Sequence, residues 1–323
     1  MTKAIRIHQT GGPDVLKWED VDVPAPGVGE ALVRQTAAGL NFIDTYQRSG
    51  LYPIALPAIM GNEGAGVVEV VGEGVTEVKQ GDRVAYHSAP GAYAERRIVP
   101  SWLLAKLPDD ISDQQGASMM LKGGTAQYLL RQTYSVQEGD TIVVHAAAGG
   151  VGLIICQWAK HLGATVIGTV GSDEKAALAK AHGCDHAIVY SREDFKGQVK
   201  EITGGKGVPV VYDSVGKDTF MGSLECLRPR GLMVSFGNAS GPPDPLNVLA
   251  LSQKGSLFLT RPTLGHYTPN HSAVLRVAND LFNVVLSGAV KIEINQTYPL
   301  QNAAQAHRDL ESRKTTGSTV LNV

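Results

Sequence analysis

Residues 141–152 read TIVVHAAAGGVG, and this stretch decides the fold. Its first half is an apolar run typical of a buried strand, and 153–162 has the pattern of a helix. The turn between them has the spacing Ala147-x-Gly149-x-x-Gly152, a variant of the dinucleotide-binding fingerprint with alanine at the first glycine position. Glycines let the backbone approach a pyrophosphate, and a helix N-terminus offers free N–H donors. The strand–turn–helix context favours this interpretation over a turn that only packs a helix against a strand.

Strand-like apolar runs recur after this turn. Helical segments such as 172–182 and 195–203 separate several of them. Strands that alternate with helices form right-handed βαβ crossovers and a parallel sheet with helices on its faces. We therefore predict an α/β fold with a Rossmann-type, doubly wound parallel sheet. Its further strands are expected at 164–169, 186–190, 208–213, 232–236 and 256–260.

The chain before residue 122 has a different pattern, with short β-branched runs between turns rich in Gly and Pro. The runs at 31–34, 66–71 and 82–85 are examples. Short strands separated by turn signals predict a mainly antiparallel β domain. The tail has a helix, a further segment and an apolar finish, at 272–286, 302–313 and 319–323.

The composition excludes several classes of protein. The 323 residues are 43% hydrophobic and 19% charged, with 37 glycines, which is typical of a turn-rich globular protein of about two domains. The net charge of −2 offers no long-range attraction to nucleic acid or to an anionic membrane. The start MTKAIRIH has no secretory signal, and no apolar run approaches the ~20 residues that span a bilayer, so we expect a cytoplasmic protein. The three cysteines, an odd number far apart in sequence, are expected to be buried and reduced.

The end of the second strand, 166–170, predicts which dinucleotide is bound. The residues that follow it read GSDEK. Gly171 and Ser172 leave room for a 2′-phosphate and Lys175 can neutralise it, so we expect NADPH. Two alternatives stay open at this point: Asp173 could accept hydrogen bonds from the ribose hydroxyls of NAD, and Lys175 could be a solvated residue on a helix face.

Together with the glycine turn and this strand end, the stretch NFIDT at 41–45 carries a family resemblance. The chain resembles the zinc-free quinone oxidoreductases of the medium-chain dehydrogenase/reductase superfamily, a zeta-crystallin-like group that reduces quinones with NADPH. The resemblance covers essentially the whole chain. It implies a GroES-like, mainly β domain formed by residues 1–122 and 263–323 around an NADPH-binding domain at 123–262. The supporting stretches are SGLYP at 49–53, GNEGAG at 61–66, LKGGTA at 121–126, YDSVG at 212–216 and VSFGN at 234–238.

The same resemblance implies the residues of the site. Asn41, Tyr46 and Tyr52 would be catalytic residues that hydrogen-bond the acceptor ring and hold the nicotinamide amide. No side chain is expected to be an indispensable general acid, because the reduced nicotinamide carries the hard chemistry. Tyr190 has the alternative role of a packed strand aromatic. The NADPH contacts expected from the resemblance and from the glycine turn are Asn41, Thr125, Gly149, Gly150, Val151, Gly152, Ser172, Lys175, Tyr190, Ser214, Phe236, Gly237 and Phe258.

A catalytic metal is not expected. Zinc members of the superfamily have a Cys at the position of Asn41 and a His at the position of Asn62, and an amide is a poor substitute for either ligand. Residues 1–155 contain no cysteine, so a structural zinc lobe is not expected either. Glu63 matches the family pattern and is expected to be structural. His182, Cys184 and His186 could suggest a further metal site, but surface positions or core packing are expected for them instead.

Without zinc, the site has no Lewis acid to polarise a carbonyl, which favours an acceptor that is intrinsically electrophilic, such as a quinone. The acceptor is expected to enter a cleft between the domains. An alternative is reduction of an enone or a 2-enoyl thioester with Tyr52 as proton donor, although Tyr52 could also simply line the cleft. A function of another class is a crystallin-like or AU-rich RNA-binding role, which the net charge disfavours. Its only support is the basic set Arg228, Arg230 and Lys254.

The apolar run 256–260 reads as a late strand at the edge of the sheet. An exposed edge can pair with a second copy across a two-fold axis. The family resemblance implies the same arrangement. We therefore expect a homodimer joined at the nucleotide-binding domains, with a small-molecule quinone as the other partner and neither a membrane nor a nucleic acid.

Overall fold

Both ends of the chain fold into one unit and the middle of the chain folds into another. A computed structural model describes residues 1–88 and 90–323. The first unit comprises Met1–Gly124, Tyr267–Leu286 and Ile292–Val323. The second comprises Thr125–His266 and Ser287–Lys291.

The N-terminal part of the first unit is built mainly from strands. Its elements are β1 (Thr2–Ile7), β2 (Lys17–Val21), β3 (Glu30–Leu40), α1 (Phe42–Ser49), β4 (Ala58–Ile59), β5 (Glu63–Val71), β6 (Arg83–His87), β7 (Arg96–Pro100), β8 (Ala105–Lys106) and α2 (Asp113–Tyr128), of which the part after Gly124 belongs to the second unit. β1 pairs with β2 and β4, and β3 pairs with β5 and β7, in each case antiparallel as the sequence predicts. Alternate residues of β3, such as Ala31 and Val33, are fully buried, because one face of the strand packs on the core.

The second unit alternates strands and helices. Its elements are β9 (Thr141–His145), α3 (Gly150–His161), β10 (Thr165–Val170), α4 (Asp173–Ala181), β11 (His186–Val189), α5 (Phe195–Ile202), β12 (Val208–Asp213), α6 (Phe220–Glu225), β13 (Leu227–Ser235), α7 (Leu249–Gln253) and β14 (Phe258–Thr260). The strand order is β11-β10-β9-β12-β13-β14, and all neighbouring pairs are parallel. The order reverses between β9 and β12, which is the Rossmann arrangement. The predicted α/β fold class is confirmed.

After α8 (Leu264–Tyr267) the chain returns to the first unit. Its last elements are α9 (His271–Leu286), β15 (Ile294–Pro299), α10 (Ala303–Glu311) and β16 (Ser318–Asn322). β16 pairs antiparallel with β3, with Thr319 opposite Leu40. It pairs in parallel with β15, since α10 supplies the crossover that a parallel pair needs. The apolar finish of the sequence is therefore a strand next to β3.

The parallel sheet is buried through its middle. Its strands carry runs of β-branched residues without alternation, as expected for a sheet covered on both faces. Examples of fully buried residues are Val143, Val211 and Met233. The three cysteines are buried and unpaired. Across 1–88 and 90–323, no helix has both the length and the apolar character that crossing a membrane requires.

Candidate active site

The glycine turn connects β9 to α3 at the carboxyl edge of the parallel sheet. Ala146 has a positive φ of 52°, which turns the chain sharply after the strand. A Cβ atom on Gly152 would lie 2.3 Å from the carbonyl oxygen of Ala146, so the turn closes only around glycine at this position. The helix begins at Gly150, earlier than the sequence predicts, because the last residues of the turn already form its first turn.

The first turn of α3 is open to an anion. In the part of the chain that the structure describes, no side chain caps this helix and its first turn holds no acidic residue. The first N–H groups of a helix have no intrahelical partner and carry a partial positive charge. The turn therefore fits a pyrophosphate, which the main-chain N–H groups of Gly150, Val151 and Gly152 can bind.

A buried hydrogen-bond network ties three strand ends together beneath the turn. His145, the last residue of β9, contacts the hydroxyl of Thr169 through Nδ1 (2.7 Å) and that of Ser223 through Nε2 (2.9 Å). Ser223 donates to Asp213 at the end of β12 (2.8 Å), so it accepts from His145, whose proton lies on Nε2. Burial lowers the pKa of His145 and keeps the ring neutral. The network was missed at the sequence level, since its members are far apart in the chain.

The expected contacts Ser214, Phe236 and Gly237 lie together at the carboxyl ends of β12 and β13. The N–H of Phe236 donates to the carbonyl of Asp213 (2.8 Å). A Cβ atom on Gly237 would lie 2.3 Å from the carbonyl oxygen of Ser214, so the two chain segments touch there. Phe258 lies apart from them, because it opens the edge strand β14 and is 60% exposed.

The residues expected to bind a 2′-phosphate lie at the carboxyl ends of β10 and β11. Ser172 precedes α4, and its hydroxyl accepts from the N–H of Lys175 (3.3 Å). The N–H of Tyr190 donates to the carbonyl of Val170 (3.1 Å), and a Cβ atom on Gly171 would lie 3.1 Å from the Tyr190 hydroxyl oxygen. At 38% exposure, Tyr190 is not a packed core aromatic. The structure thus brings Ser172, Lys175 and Tyr190 together around a glycine.

Asp173, the residue that could mark an NAD site, is held in an ion pair. Its carboxylate accepts hydrogen bonds from both terminal nitrogens of Arg192, at 2.7 and 2.5 Å. These bonds lower the pKa of Asp173. Sequence reasoning missed Arg192. The signal for it was its place three residues after the end of β11, the strand that pairs with β10.

Asn41 lies at the start of α1, and carboxylates hold it on two sides. Its main-chain N–H donates to Asp44 (2.9 Å) and its side-chain amide donates to Glu63 (2.8 Å). Glu63 is buried and also accepts from the N–H of Leu121 (2.8 Å) and the ammonium of Lys122 (3.2 Å). These bonds fix the Asn41 side chain at the start of α1, where Asn41 and Asp44 also form a capping box.

Asn62, the second residue at a zinc-ligand position, also donates to neighbouring side chains. Its amide nitrogen lies 2.7 Å from both Asp44 and Gln47. A nitrogen that donates its hydrogens in this way is not a metal ligand. Across 1–88 and 90–323, no group of three or more His, Cys, Asp or Glu is placed to hold a metal.

A buried chain of polar groups runs from α1 to α10. Asp44 is fully buried, and burial raises its pKa to about 6. It accepts from the hydroxyl of Tyr93 (2.9 Å), which in turn lies 3.4 Å from Nε2 of His307. Burial, together with Arg48, lowers the pKa of His307 to about 3, so Nδ1 of the neutral ring can accept from Arg48 (3.1 Å). This row of hydrogen-bonded groups anchors α1 and thereby fixes the position of Asn41.

Tyr46 and Tyr52 lie against each other at the end of α1. Their ring centroids are 5.1 Å apart, and the N–H of Tyr52 donates to the carbonyl of Tyr46 (3.0 Å). Tyr46 is buried and Tyr52 is partly exposed. The helix therefore groups all three predicted catalytic residues, with Asn41 at its start. Thr125, another expected contact, is buried on α2 and belongs to the second unit.

Two family models match the chain. Residues 27–109 match the alcohol dehydrogenase GroES-like domain, and residues 150–274 match the zinc-binding dehydrogenase model. The first match confirms the GroES-like character predicted for the β domain.

Full-length relatives are similar throughout. A quinone oxidoreductase of Pseudomonas aeruginosa is 55% identical over 99% of both chains, and a 2-haloacrylate reductase of a Burkholderia species is 50% identical over 99% of both chains. The crystal structure of Escherichia coli quinone oxidoreductase complexed with NADPH has a TM-score of 0.98 and 49% identity, covering 99% of this chain and 100% of that one. The chain belongs to the quinone oxidoreductase family of the medium-chain dehydrogenase/reductase superfamily.

Proposed function

We propose that the protein reduces quinones with electrons from NADPH. The observation that carries the proposal is the open first turn of α3, which fits the pyrophosphate of a dinucleotide. Lys175, at the strand end after β10, adds the selectivity for a 2′-phosphate. In support, the relatives at 55% and 49% identity are quinone oxidoreductases, and the second of them was crystallised with NADPH.

The residues proposed to bind and orient the cofactor lie mainly in the second unit, and NADPH, when bound, supplies a hydride. The N–H groups after Gly149 hold the pyrophosphate, and the strand end after β10 holds the 2′-phosphate. Ser214, Phe236 and Gly237, at the carboxyl ends of β12 and β13, line the rest of the site. We propose the contacts as Asn41, Thr125, Gly149, Gly150, Val151, Gly152, Ser172, Lys175, Tyr190, Ser214, Phe236 and Gly237. Phe258, the remaining expected contact, lies apart from them at the start of the edge strand β14 and is left out of the proposed set.

The proposal is tested by NADPH oxidation with a panel of acceptors at equal concentration. The panel contains a benzoquinone, a naphthoquinone, an enoyl thioester and 2-chloroacrylate, and the decrease in NADPH absorbance is followed. We expect the quinones to be reduced fastest. Turnover of the alkenes without turnover of any quinone would contradict the proposal.

A second candidate is reduction of a conjugated carbon–carbon double bond. The 50% identical relative is a 2-haloacrylate reductase, and a haloacrylate is a conjugated alkene. Such a reaction needs a proton at carbon, for which Tyr52 is the available donor. The RNA-binding alternative gains no support, because Lys254, one of its few basic residues, lies 3.2 Å from Glu225 in an ion pair.

Tyr52→Phe is expected to reduce quinone turnover by less than about 100-fold, because positioned proton transfer is typically worth ~10² to 10⁴-fold and water can protonate the quinone oxygens. We propose that Asn41, Tyr46 and Tyr52 orient the acceptor and the nicotinamide, so losses should be graded. The measurement is kcat with a naphthoquinone, beside the NADPH dissociation constant. A loss of roughly 1000-fold at unchanged NADPH affinity would instead support the second candidate.

Chelator treatment is expected to leave quinone reduction unchanged, because Asn41 and Asn62 donate to carboxylates at the positions where zinc members have ligands. Elemental analysis of protein prepared without added metal should find zinc well below one atom per chain. Stoichiometric zinc that disappears together with activity would refute this prediction.

The exposed edge of the parallel sheet supports a homodimer, which we propose as the cytoplasmic form of the enzyme. β14 is the edge strand, with Phe258 60% and Leu259 39% exposed. Light scattering at micromolar concentration should give the mass of two chains, and Phe258→Asp should shift it to one chain, because a buried unpaired charge disfavours the contact. Val70→Asp, which changes an exposed apolar strand residue of the first unit, is the control. A monomeric parent protein would contradict the proposal.

A further inference from the structure

The ion pair between Asp173 and Arg192 occupies a position at which cofactor selectivity is decided. Asp173 is the first residue of α4, three positions after the last residue of β10. An acidic residue near the end of this strand accepts hydrogen bonds from the ribose hydroxyls of NAD. The same carboxylate would repel the phosphate of NADPH. The chain thus has an NAD-type acid beside a serine and a lysine suited to NADPH.

Arg192 is placed to cancel this acid. Its two terminal nitrogens donate to the two carboxylate oxygens at 2.7 and 2.5 Å. This two-pronged geometry is one that arginine forms with carboxylates and that lysine cannot match. Nε of Arg192 also lies 3.5 Å from Glu193, a further contact that restricts the side chain.

The backbone fixes the approach of the two residues. β10 and β11 are paired in parallel up to Val170 opposite Val189, so their carboxyl ends are adjacent. Beyond the pairing, Tyr190 donates to the carbonyl of Val170 (3.1 Å) and the hydroxyl of Ser191 donates to the carbonyl of Gly171 (3.4 Å). The segment that carries Arg192 is therefore held alongside the segment that carries Asp173.

We propose that Arg192 is a specificity-determining residue, which makes Asp173 compatible with NADPH by neutralising its carboxylate. The inference rests on the proposed function. Both side chains are largely exposed, so the effect is an electrostatic one in water. For a phosphate dianion about 6 Å from an unpaired carboxylate, Coulomb's law in water gives a roughly tenfold loss of affinity at low salt. Added salt should reduce that loss, because exposed charges are screened.

The test is a double-mutant cycle with Arg192→Gln, Asp173→Asn and the double variant. Dissociation constants for NADPH and NADH are measured by calorimetry on the full chain, at low and at high salt. Lys200→Gln is the matched control, since it removes one exposed positive charge from the last turn of α5. That turn leads into the start of β12, away from the carboxyl ends of β10 and β11.

We expect Arg192→Gln to weaken NADPH binding by roughly five- to tenfold at low salt and to leave NADH binding equal or tighter. The double variant should regain NADPH affinity, because position 173 then carries no negative charge that Arg192 would have to neutralise. A loss that persists in the Asp173→Asn background would mean that Arg192 binds the phosphate itself, and it would overturn the proposed role.

Failure of this inference is distinguishable from failure of the proposed function. If the parent protein prefers NADPH and Arg192→Gln matches Lys200→Gln, the inference alone is wrong. If the parent protein prefers NADH, or binds neither cofactor, both the inference and the proposed function are wrong.

Discussion

Lys175→Glu is expected to weaken NADPH binding by roughly 100-fold or more and to change NADH binding by less than about threefold. Lys175 lies in the first turn of α4, where its N–H donates to the hydroxyl of Ser172. A charge-assisted hydrogen bond to phosphate is worth about 1.5 to 3 kcal/mol, and the substituted carboxylate adds repulsion. NADH has a hydroxyl in place of the phosphate, so it loses little. The measurement is a calorimetric titration of both cofactors.

Lys180→Glu is the control for this prediction, because it makes the same charge reversal in the last turn of the same helix. It should leave both dissociation constants unchanged. If the parent protein bound NADPH and NADH with equal affinity, the assignment of this strand end would be wrong. If Lys175→Glu weakened both cofactors equally, damage to the fold would explain the loss better than a lost phosphate contact.

The parallel sheet could be predicted because its strands are continuous apolar runs. Such runs are a local signal, and the glycine turn after β9 located the start of the alternating pattern. The first and last residues of the strands were less predictable. β13 begins at Leu227 and not at Leu232, because Leu227 already pairs with Val208 before an irregular step in register. That pairing depends on a strand distant in sequence, so no local pattern shows it.

Helix α2 could not be predicted from propensity. It contains three glycines, which are poor helix formers. In the structure, a Cβ atom on Gly123 would lie 2.5 Å from Leu281 on α9, so the glycine is there for close packing. Tertiary contact outweighs the local preference, and the contact partner lies far along the chain.

The candidate site likewise has parts that could be predicted from the sequence and parts that could not. The glycine turn and the strand end after β10 are contiguous stretches, and both were predicted. Arg192 and the network of His145 were not, because each depends on which strands are neighbours. The resemblance to a family supplied Asn41, Tyr46 and Tyr52, and the structure adds that α1 groups them.

Gly152→Ala is expected to weaken NADPH and NADH binding equally, by roughly 100-fold. A Cβ atom at this position would lie 2.3 Å from the carbonyl oxygen of Ala146 and 2.8 Å from the Cα of Ala147, so the turn must move. Its N–H groups then no longer point at the pyrophosphate, and each hydrogen bond to a charged group is worth about 1.5 to 3 kcal/mol. Gly265→Ala is the matched control, because a Cβ atom there meets nothing within 4 Å. Calorimetry measures binding, and circular dichroism checks that both variants fold.

The losses of NADPH and NADH affinity in the two variants distinguish the pyrophosphate site from the 2′-phosphate site. The pyrophosphate is common to NADPH and NADH, so a displaced turn must lower both affinities and leave their ratio unchanged. The 2′-phosphate belongs to NADPH alone, so Lys175→Glu must change the ratio. If a folded Gly152→Ala variant bound both cofactors as the parent protein does, the pyrophosphate would not lie on α3. If it changed the ratio instead, the glycine turn and the strand end after β10 would not be independent parts of the site.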